Sequence, residues 1–549
     1  MLTRGSASVL IHRCLYITQT GSASRSLYLR GGPPAMDPIL FLFGILFVVL
    51  VWLWMSGYRT PTTSRLPPGP KPVPFLGNVH QLPSVSQQTR FREWGAQYGD
   101  IVYLRLFRTS AIIINSLEVA QDLLDKRSAK YSHRPRFILL QDLMGWDVLT
   151  HFSYGERFRR HRRWIASAFQ DKQALLSYRP IQRREISVLL SGLLETPEQF
   201  MPHIRRYAAA LIMEIAYGHR VESVDDEYIH IAECAGKETV ESGNAGSMLV
   251  DFFPTLQYLP IWFPGAGFKR KAAEVKKVVQ KMFDMPFEMV RNAMASGTAS
   301  PCFTASLLDE VLRQGSLSKE YEDDIKSAAG VLYGAATDTT VVILSTFILA
   351  MLLHPEVCQK AQAEIDRTVG TERLPDFDDR EALPYLECVI REVFRWNCPV
   401  PLGIPHRTIQ PDEYRGYNIP ADSMVIANIW AMTRDEASYP QPEVFRPERF
   451  LEMDHQALQL LDPRNIAFGF GRRVCPGQQF ADSSIWLAVA HLVATVNITK
   501  VTGKDGKPLT PAAEFVPGFV SHPKDFTCII TPRSGKVVQL VSDLRDMSA

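Results

Sequence analysis

The stretch Phe468–Leu492, "FGFGRRVCPGQQFADSSIWLAVAHL", holds one cysteine in a loop crowded with glycine and arginine, directly before an apolar run of helical character. Gly469, Gly471 and Gly477 allow tight backbone turns and a close approach to a flat ligand. Cys475 comes just ahead of the helix, where the dipole and the free N–H groups favour a thiolate. Arg473 offers a planar cationic fork suited to a carboxylate. The plainer reading of Cys475 is an inert core thiol. Cys398, in "NCPVP", is also followed by proline but lacks the Gly/Arg loop.

A second candidate lies in "EDDIKSAAGVLYGAATDTTVVILSTFILAMLLHPE". Acids at its start and Pro355 at its end predict a helix of about 30 residues, about 45 Å long. Thr337, Asp338, Thr339 and Thr340 interrupt an otherwise small and apolar run. Buried hydroxyls and a carboxylate cost free energy unless bonded. Thr339 is spaced to bond the Ala335 carbonyl one turn back, opening a groove beside Ala335 and Ala336. A solvated face or a satisfied core threonine is the alternative. Glu392 and Arg395 share one helix face in "IREVFRW", and "FRPERF" supplies Arg449. A glutamate between two arginines can stay charged in a buried site, an architectural role.

These residues need a large scaffold. With 46% hydrophobic and 21% charged residues the chain has the balance of a globular protein with a sizeable core. A net charge of +2 gives no support to nucleic-acid binding. Eight scattered cysteines without a CxxC fit reduced thiols rather than a disulfide framework. The uncharged run Ile39–Met55, followed by Tyr58, predicts a membrane anchor over 36–58, with a cleaved signal peptide as the alternative. Residues 1–35 hold four arginines and no acid, as mitochondrial transit peptides do. Because Met36 already opens an anchor-like segment, an upstream extension without a targeting role is the preferred reading.

Five prolines in "RLPPGPKPVPFLGN" predict a stiff, extended hinge over 59–78. Strands are expected in "DIVYLRLFRTSAIIINS", turning at Arg108 and Thr109, and around "EYRGYNIPADSMVIANIW". Ser116 is placed to cap a helix through "LEVAQDLLDKR". The remainder of 79–549 reads as one mainly α domain with small β sheets. Tyr258–Ala272, apolar and broken by proline, dips into a membrane interface if exposed and is core if buried.

A thiolate on a rigid loop, with an arginine set for a propionate, describes the proximal side of a haem. Phe468-Gly-Phe-Gly-Arg-Arg-Val-Cys-Pro-Gly is similar to the FxxGxRxCxG signature of the cytochrome P450 family. The resemblance runs from the proline-rich segment to the C-terminus. The "AATDTT" helix resembles the family's oxygen-activating motif, and ExxR followed by "PERF" recurs in the expected order. "LPPGPKPVPFLGN" and "PLGIPHRT" resemble fungal microsomal members working in secondary metabolism. The resemblance implies the cytochrome P450 fold and a haem b whose iron takes Cys475 as axial ligand. It places Arg473, Arg162, Phe468, Gly471, Gly477 and Ala335 around the cofactor, with His133 and Arg407 as weaker propionate candidates. Two positions depart from the pattern. Ala336 stands where the family has glycine, and Phe158, in "YGERFRRHRRW", stands where it has tryptophan.

The same resemblance implies a monooxygenase that takes O2 and a lipophilic or aromatic small molecule. Thr339 would hold water at the oxygen site and Asp338 would relay protons. Electrons would come from an NADPH-dependent reductase in the same membrane, the endoplasmic reticulum, with the catalytic domain facing the cytosol. Phe137–Leu149, Val400–Ile404 and Phe515–Ser521 would line the substrate pocket. Two rivals remain: an isomerase or dehydratase needing neither O2 nor reductase, and a non-catalytic haem-binding membrane protein.

Overall fold

A long internal helix organises the molecule, and its sequence explains why. Lys319–Leu353 carries apolar residues on every side, so it is stable only when surrounded. Ser318 caps it by accepting the Tyr321 N–H, Glu320 and Glu322 sit at its positive end, and the chain leaves helical geometry at His354, ahead of Pro355. At 35 residues it is about 52 Å long, longer than expected because the cap lies upstream of the acidic cluster. Among the described residues it alone is long and apolar enough to cross a bilayer, but most of it is buried inside the fold. It is core.

This computed structural model describes residues 65–242, 248–315 and 317–548, together with Gly44 and Val48. Apart from those two residues, the expected extension at 1–35, the anchor at 36–58 and the start of the hinge therefore lie outside the described residues.

The principal helices are α1 (Glu156–Phe169), α2 (Arg179–Glu195), α3 (Phe200–Tyr217), α4 (Gly267–Ser296), α5 (Lys319–Leu353), α6 (Pro384–Trp396) and α7 (Gln478–Thr495). Helix α5 packs against α1, α3, α4, α6 and α7. The α1–α5 contact is pinned by Asp324, which accepts from Arg157 Nε at 2.6 Å, lies 3.2 Å from His161 Nε2 and also bonds Arg160. Burial pushes the Asp324 carboxyl up, but His161, Arg160 and Arg157 outweigh it and hold the group far below the usual range.

The strands are β1 (Ile101–Leu106), β2 (Thr109–Ile114), β3 (His406–Arg407), β4 (Asp412–Tyr414), β5 (Tyr417–Ile419), β6 (Met424–Ala427), β7 (Val496–Thr499) and β8 (Ile529–Pro532). A four-stranded sheet has the order β1-β2-β6-β3, with β2 parallel to β6 and the other pairs antiparallel. Two further antiparallel pairs are the hairpin β4-β5 and the sequence-distant β7-β8. The β1–β2 turn lies at Phe107 and Arg108, one residue earlier than expected, and the Phe107 ring packs on Phe252 and Phe253. Ser116 does cap its helix, which widens into π geometry over Gln121–Lys126. The proline segment is extended over 65–72 and runs against β1, where Tyr103 N donates to Pro68 O at 3.0 Å. It then turns back over 74–76, with Phe75 at φ +64°, before Asn78 N donates to Arg105 O at 2.6 Å, so the extended hinge expected to 78 stops short of it. The mainly α architecture with small sheets agrees with the expectation.

Candidate active site

Cys475 sits in a loop that the backbone braces from within. Its N–H donates to Phe468 O at 2.8 Å, Arg473 N to Phe470 O at 3.1 Å, and Val474 N to Gly471 O at 3.1 Å. Gly469 and Gly471 have φ values of +80° and +54°. At Gly471 a Cβ would meet Leu124 O at 2.1 Å, so only glycine lets this loop lie on the Gln121–Lys126 helix. Gly477 differs, since its φ of −89° suits any residue; a Cβ there would stand 4.0 Å from the Cys475 sulfur. That is ordinary contact, so neither backbone conformation nor space within the protein demands glycine here. Burial pushes the Cys475 thiol up, while the Gly477 N–H and the charge of Arg162 pull it down. At Cys398 burial outweighs the Val400 backbone and the charge of Arg434, and pushes the thiol up to about 12.

Helix α7 behind this loop is tied to α6 by charges that sequence reasoning did not find. Arg464 Nη1 bonds Glu387 Oε1 at 2.6 Å and Asp482 Oδ1 at 2.7 Å, and Arg380 Nη1 bonds Asp482 Oδ2 at 2.6 Å. Nothing in their spacing reveals these partners, because they come from four separate segments. Glu392, Arg395 and Arg449 meet as expected. Arg395 clasps Glu392 through Nε at 2.7 Å and Nη2 at 2.8 Å, and Arg449 Nε donates to Glu392 Oε1 at 3.2 Å. The three are essentially inaccessible.

A second group of cations gathers beside the cysteine loop. Arg473 donates from Nε to Ser132 O at 2.7 Å and from Nη2 to Phe152 O at 2.6 Å, while Arg162 donates to Val474 O. Arg134 bonds the carbonyls of Thr150, Ile404 and Pro405. Arg407 N donates to His133 O, and the Arg407 side chain reaches Asp422 at 3.1 Å. Several polar atoms of the group are buried without a partner: Arg473 Nη1, His133 Nδ1 and Arg407 Nε. Burial, and then the charge of Arg162, push the Arg473 guanidinium down to about 9. Burial and the charges of Arg407 and Arg473 likewise push His133 down. Unpaired donors and mutual repulsion mark a cradle built for anionic groups. Phe158 takes part too, with the Arg473 guanidinium stacked 3.9 Å over its ring.

Helix α5 opens at its polar centre. Residues on both sides are buried, but Ala335 is exposed and Gly334 and Ala336–Thr339 are partly so. Thr339 Oγ1 donates to Ala335 O at 2.9 Å, as its spacing predicted, and Thr337 Oγ1 donates to Tyr333 O at 2.9 Å. Asp338 pairs with His522, a partner the sequence reading missed. Of the expected pocket segments, Phe137–Leu149 reaches this stretch, and Phe515–Ser521 meets the chain next to Val400–Ile404. Trp146 lies against Gly334, and Ser521 N bonds Pro399 O at 2.9 Å beside Val400.

A braced cysteine, an anion cradle and an opened helix are the ingredients of a haem-thiolate site, and the cytochrome P450 family profile matches residues 67–529. The chain belongs to the cytochrome P450 family. Its relatives are monooxygenases, and so is this cytochrome P450. Cytochrome P450 monooxygenase 176 of Postia placenta is 45% identical over 92% of this chain and 97% of its own length. Cytochrome P450 monooxygenase claR of Ampulloclitocybe clavipes is 41% identical over 90% of this chain and 91% of its own. Tryptamine 4-monooxygenase of Psilocybe cyanescens is 40% identical over 90% of this chain and the whole of its own. The family uses haem, and the unpaired donors around Arg473 fit that group's propionates.

Proposed function

We propose that this P450 works in fungal secondary metabolism as a membrane-anchored haem b enzyme of the endoplasmic reticulum. It inserts one atom of O2 into a lipophilic or aromatic small molecule and releases the other as water. Two electrons come from NADPH through a reductase, and two protons complete the water. The observation that carries this reading is the cradle of half-buried basic side chains around the cysteine loop, with buried atoms left unpaired. Secondary metabolism rests on the resemblance to fungal microsomal enzymes and on relatives that include a tryptamine 4-monooxygenase.

Cys475 would hold the iron through its thiolate, and Arg473, Arg162, His133 and Arg407 would hold the propionates. The haem supplies oxygen activation when bound, favoured by an electron-rich thiolate. The chain's own residues handle placement and protons. Thr339, tied to Ala335 O, presents its oxygen as an acceptor for water or a protonated group at the helix opening. Asp338, one residue away, carries a carboxylate that can take up and pass on a proton.

Membrane attachment agrees with an exposed apolar loop. Tyr258, Ile261, Trp262 and Phe263 face solvent, Trp262 with 79% of its surface. The loop's carbonyls are held by Lys269 and Arg270, which donate to Gln257, Leu259 and Ile261. Rings outward and basic residues behind them suit a headgroup interface.

The test is turnover of the reductase-supplied enzyme under 18O2. A compound that shifts the haem spin state should first be found by absorbance titration with terpenes, polyketides, aromatic amines and fatty acids. One labelled oxygen per product molecule is expected. Turnover without NADPH, or product free of label, would instead establish an isomerase or dehydratase.

A further inference from the structure

The Asp338 carboxylate has a partner far along the chain. Its Oδ1 lies 3.0 Å from Nε2 of His522, in the C-terminal segment. That segment is fastened to α5 a second time. Asn397 Nδ2 donates to Thr346 Oγ1 of α5 at 3.0 Å and to Ser521 O at 2.8 Å. Ser521 Oγ donates back to Asn397 Oδ1 at 3.1 Å. Thr346, Asn397 and Ser521 are all buried. On the other side of the histidine, Val516 N donates to His522 O at 2.7 Å, beside a bridge between Phe515 and Pro523. Thr346 lies eight residues beyond Asp338, about 12 Å along the helix axis.

The backbone around His522 is thus clamped before its imidazole reaches α5. A surface ion pair joins two mobile side chains and gains little. Here one partner is carried on a buried latch and the other on a rigid helix. Asp338 is half-exposed, with 48% of its side chain accessible. Left alone it would sample several staggered rotamers. The imidazole, 3.0 Å away, favours the one that points towards the C-terminal segment.

We propose that His522 is the positioning residue of Asp338, holding the carboxylate in the orientation from which it handles protons. The assignment rests on the proton role given to Asp338 above. Its contact with His522 can be tested without turnover.

The experiment uses the full-length, haem-loaded protein in two chemical labelling reactions mapped by mass spectrometry. Carbodiimide coupling reports Asp338, and carbethoxylation by diethyl pyrocarbonate reports His522, with exposed His455 as internal reference. His522→Ala should raise labelling of Asp338 about threefold, the scale a half-exposed pair supports. His522→Gln keeps an N–H donor and should restore protection. Asp338→Ala should raise labelling of His522 by a similar factor. Unchanged labelling in both directions overturns the proposal. For the role itself, NADPH consumption with reductase and no added substrate should fall about tenfold in His522→Ala, with a larger solvent deuterium isotope effect. His522→Gln should stay close to wild type in both. Altered labelling with unchanged consumption and isotope effect would leave a contact without the role, and the proposal would fall. Absence of 18O in product would sink the monooxygenase reading while leaving the labelling result intact, so the two failures are distinguishable.

Discussion

Two clusters of arginine, one fully buried and one half-buried, are completed in opposite ways. Around Glu392, the protein supplies every acceptor. Arg395 spends its remaining donors on the carbonyls of Thr433, Pro442 and Val444, and Arg449 reaches Pro440, Gln441 and Val444. Arg446 N adds a bond to Glu392 Oε1 at 2.8 Å. Around Cys475, Arg473, His133 and Arg407 each keep a buried atom unpaired. A closed cluster stitches a loop to α6 and can do nothing else. An open one is costly until an anion enters. Burial differs too: Glu392, Arg395 and Arg449 are inaccessible, whereas Arg473, His133 and Arg407 are half-buried with individual atoms shut away from solvent.

The largest effect should follow from opening the closed cluster. Glu392→Ala strands two buried guanidinium groups, a loss of about 3–5 kcal/mol. Thermal melting of the purified protein should show it, with little folded material recovered. A near-native melting temperature would mean that the carbonyls alone satisfy Arg395 and Arg449, and that the contrast between the clusters is false.

The reach of sequence reasoning follows the same contrast. The Glu392–Arg395 pair was legible because helix spacing puts both on one face, and Thr339 to Ala335 O was legible for the same reason. Cys475 was legible because glycines, arginine and cysteine are packed into one loop. Arg134, the Arg464 network and His522 were not. Their partners lie on other segments, and only the packing of α5 against α6, α7 and the C-terminal strands brings them together. Gly477 shows a subtler limit: its place in the motif suggested a tight backbone, but its φ of −89° suits any residue and a Cβ would meet only the sulfur at an ordinary 4.0 Å.

A third way to bury a base is to leave it neutral. His491 on α7 is buried, its Nε2 bonds Pro375 O at 2.7 Å, and burial pushes the imidazole from 6.5 down to about 4. The unfolded chain therefore takes up a proton between these values while the folded chain does not. The stability contributed is fully present above pH 6.5 and is lost as pH falls towards 4, roughly 3 kcal/mol in all. Denaturant melts of wild type and His491→Gln across this range should diverge by that slope. Parallel curves would show that the imidazole is not held neutral.

Arg473→Met sharpens the contrast directly. In the haem-free chain it removes a buried cation that lacks an anion, at the expense of two carbonyl bonds, so stability should move by no more than about 1 kcal/mol. Arg395→Met should cost several times as much. Haem retention should respond in the reverse order, with Arg473→Met losing haem about tenfold faster in transfer to apomyoglobin. Equal melting losses in the two variants would show that the cradle is scaffold after all.

The smallest effect concerns Phe158. Phe158→Trp would add an indole N–H to the cradle, a hydrogen bond to an anionic group of about 1.5–3 kcal/mol once haem is present. It would also deepen the stacking beneath Arg473, since tryptophan binds cations best among the rings. Against this, Phe158 is only 3% exposed and packs 5.3 Å from the Tyr154 ring, so the larger side chain overpacks the site by about 1–3 kcal/mol. The haem-free protein feels only the crowding, and its melting temperature should drop. The haem-loaded protein feels both terms, and its melting temperature should stay near that of wild type. A drop of the same size in both forms would mean that the new N–H finds no acceptor, and that phenylalanine completes this cradle by stacking alone.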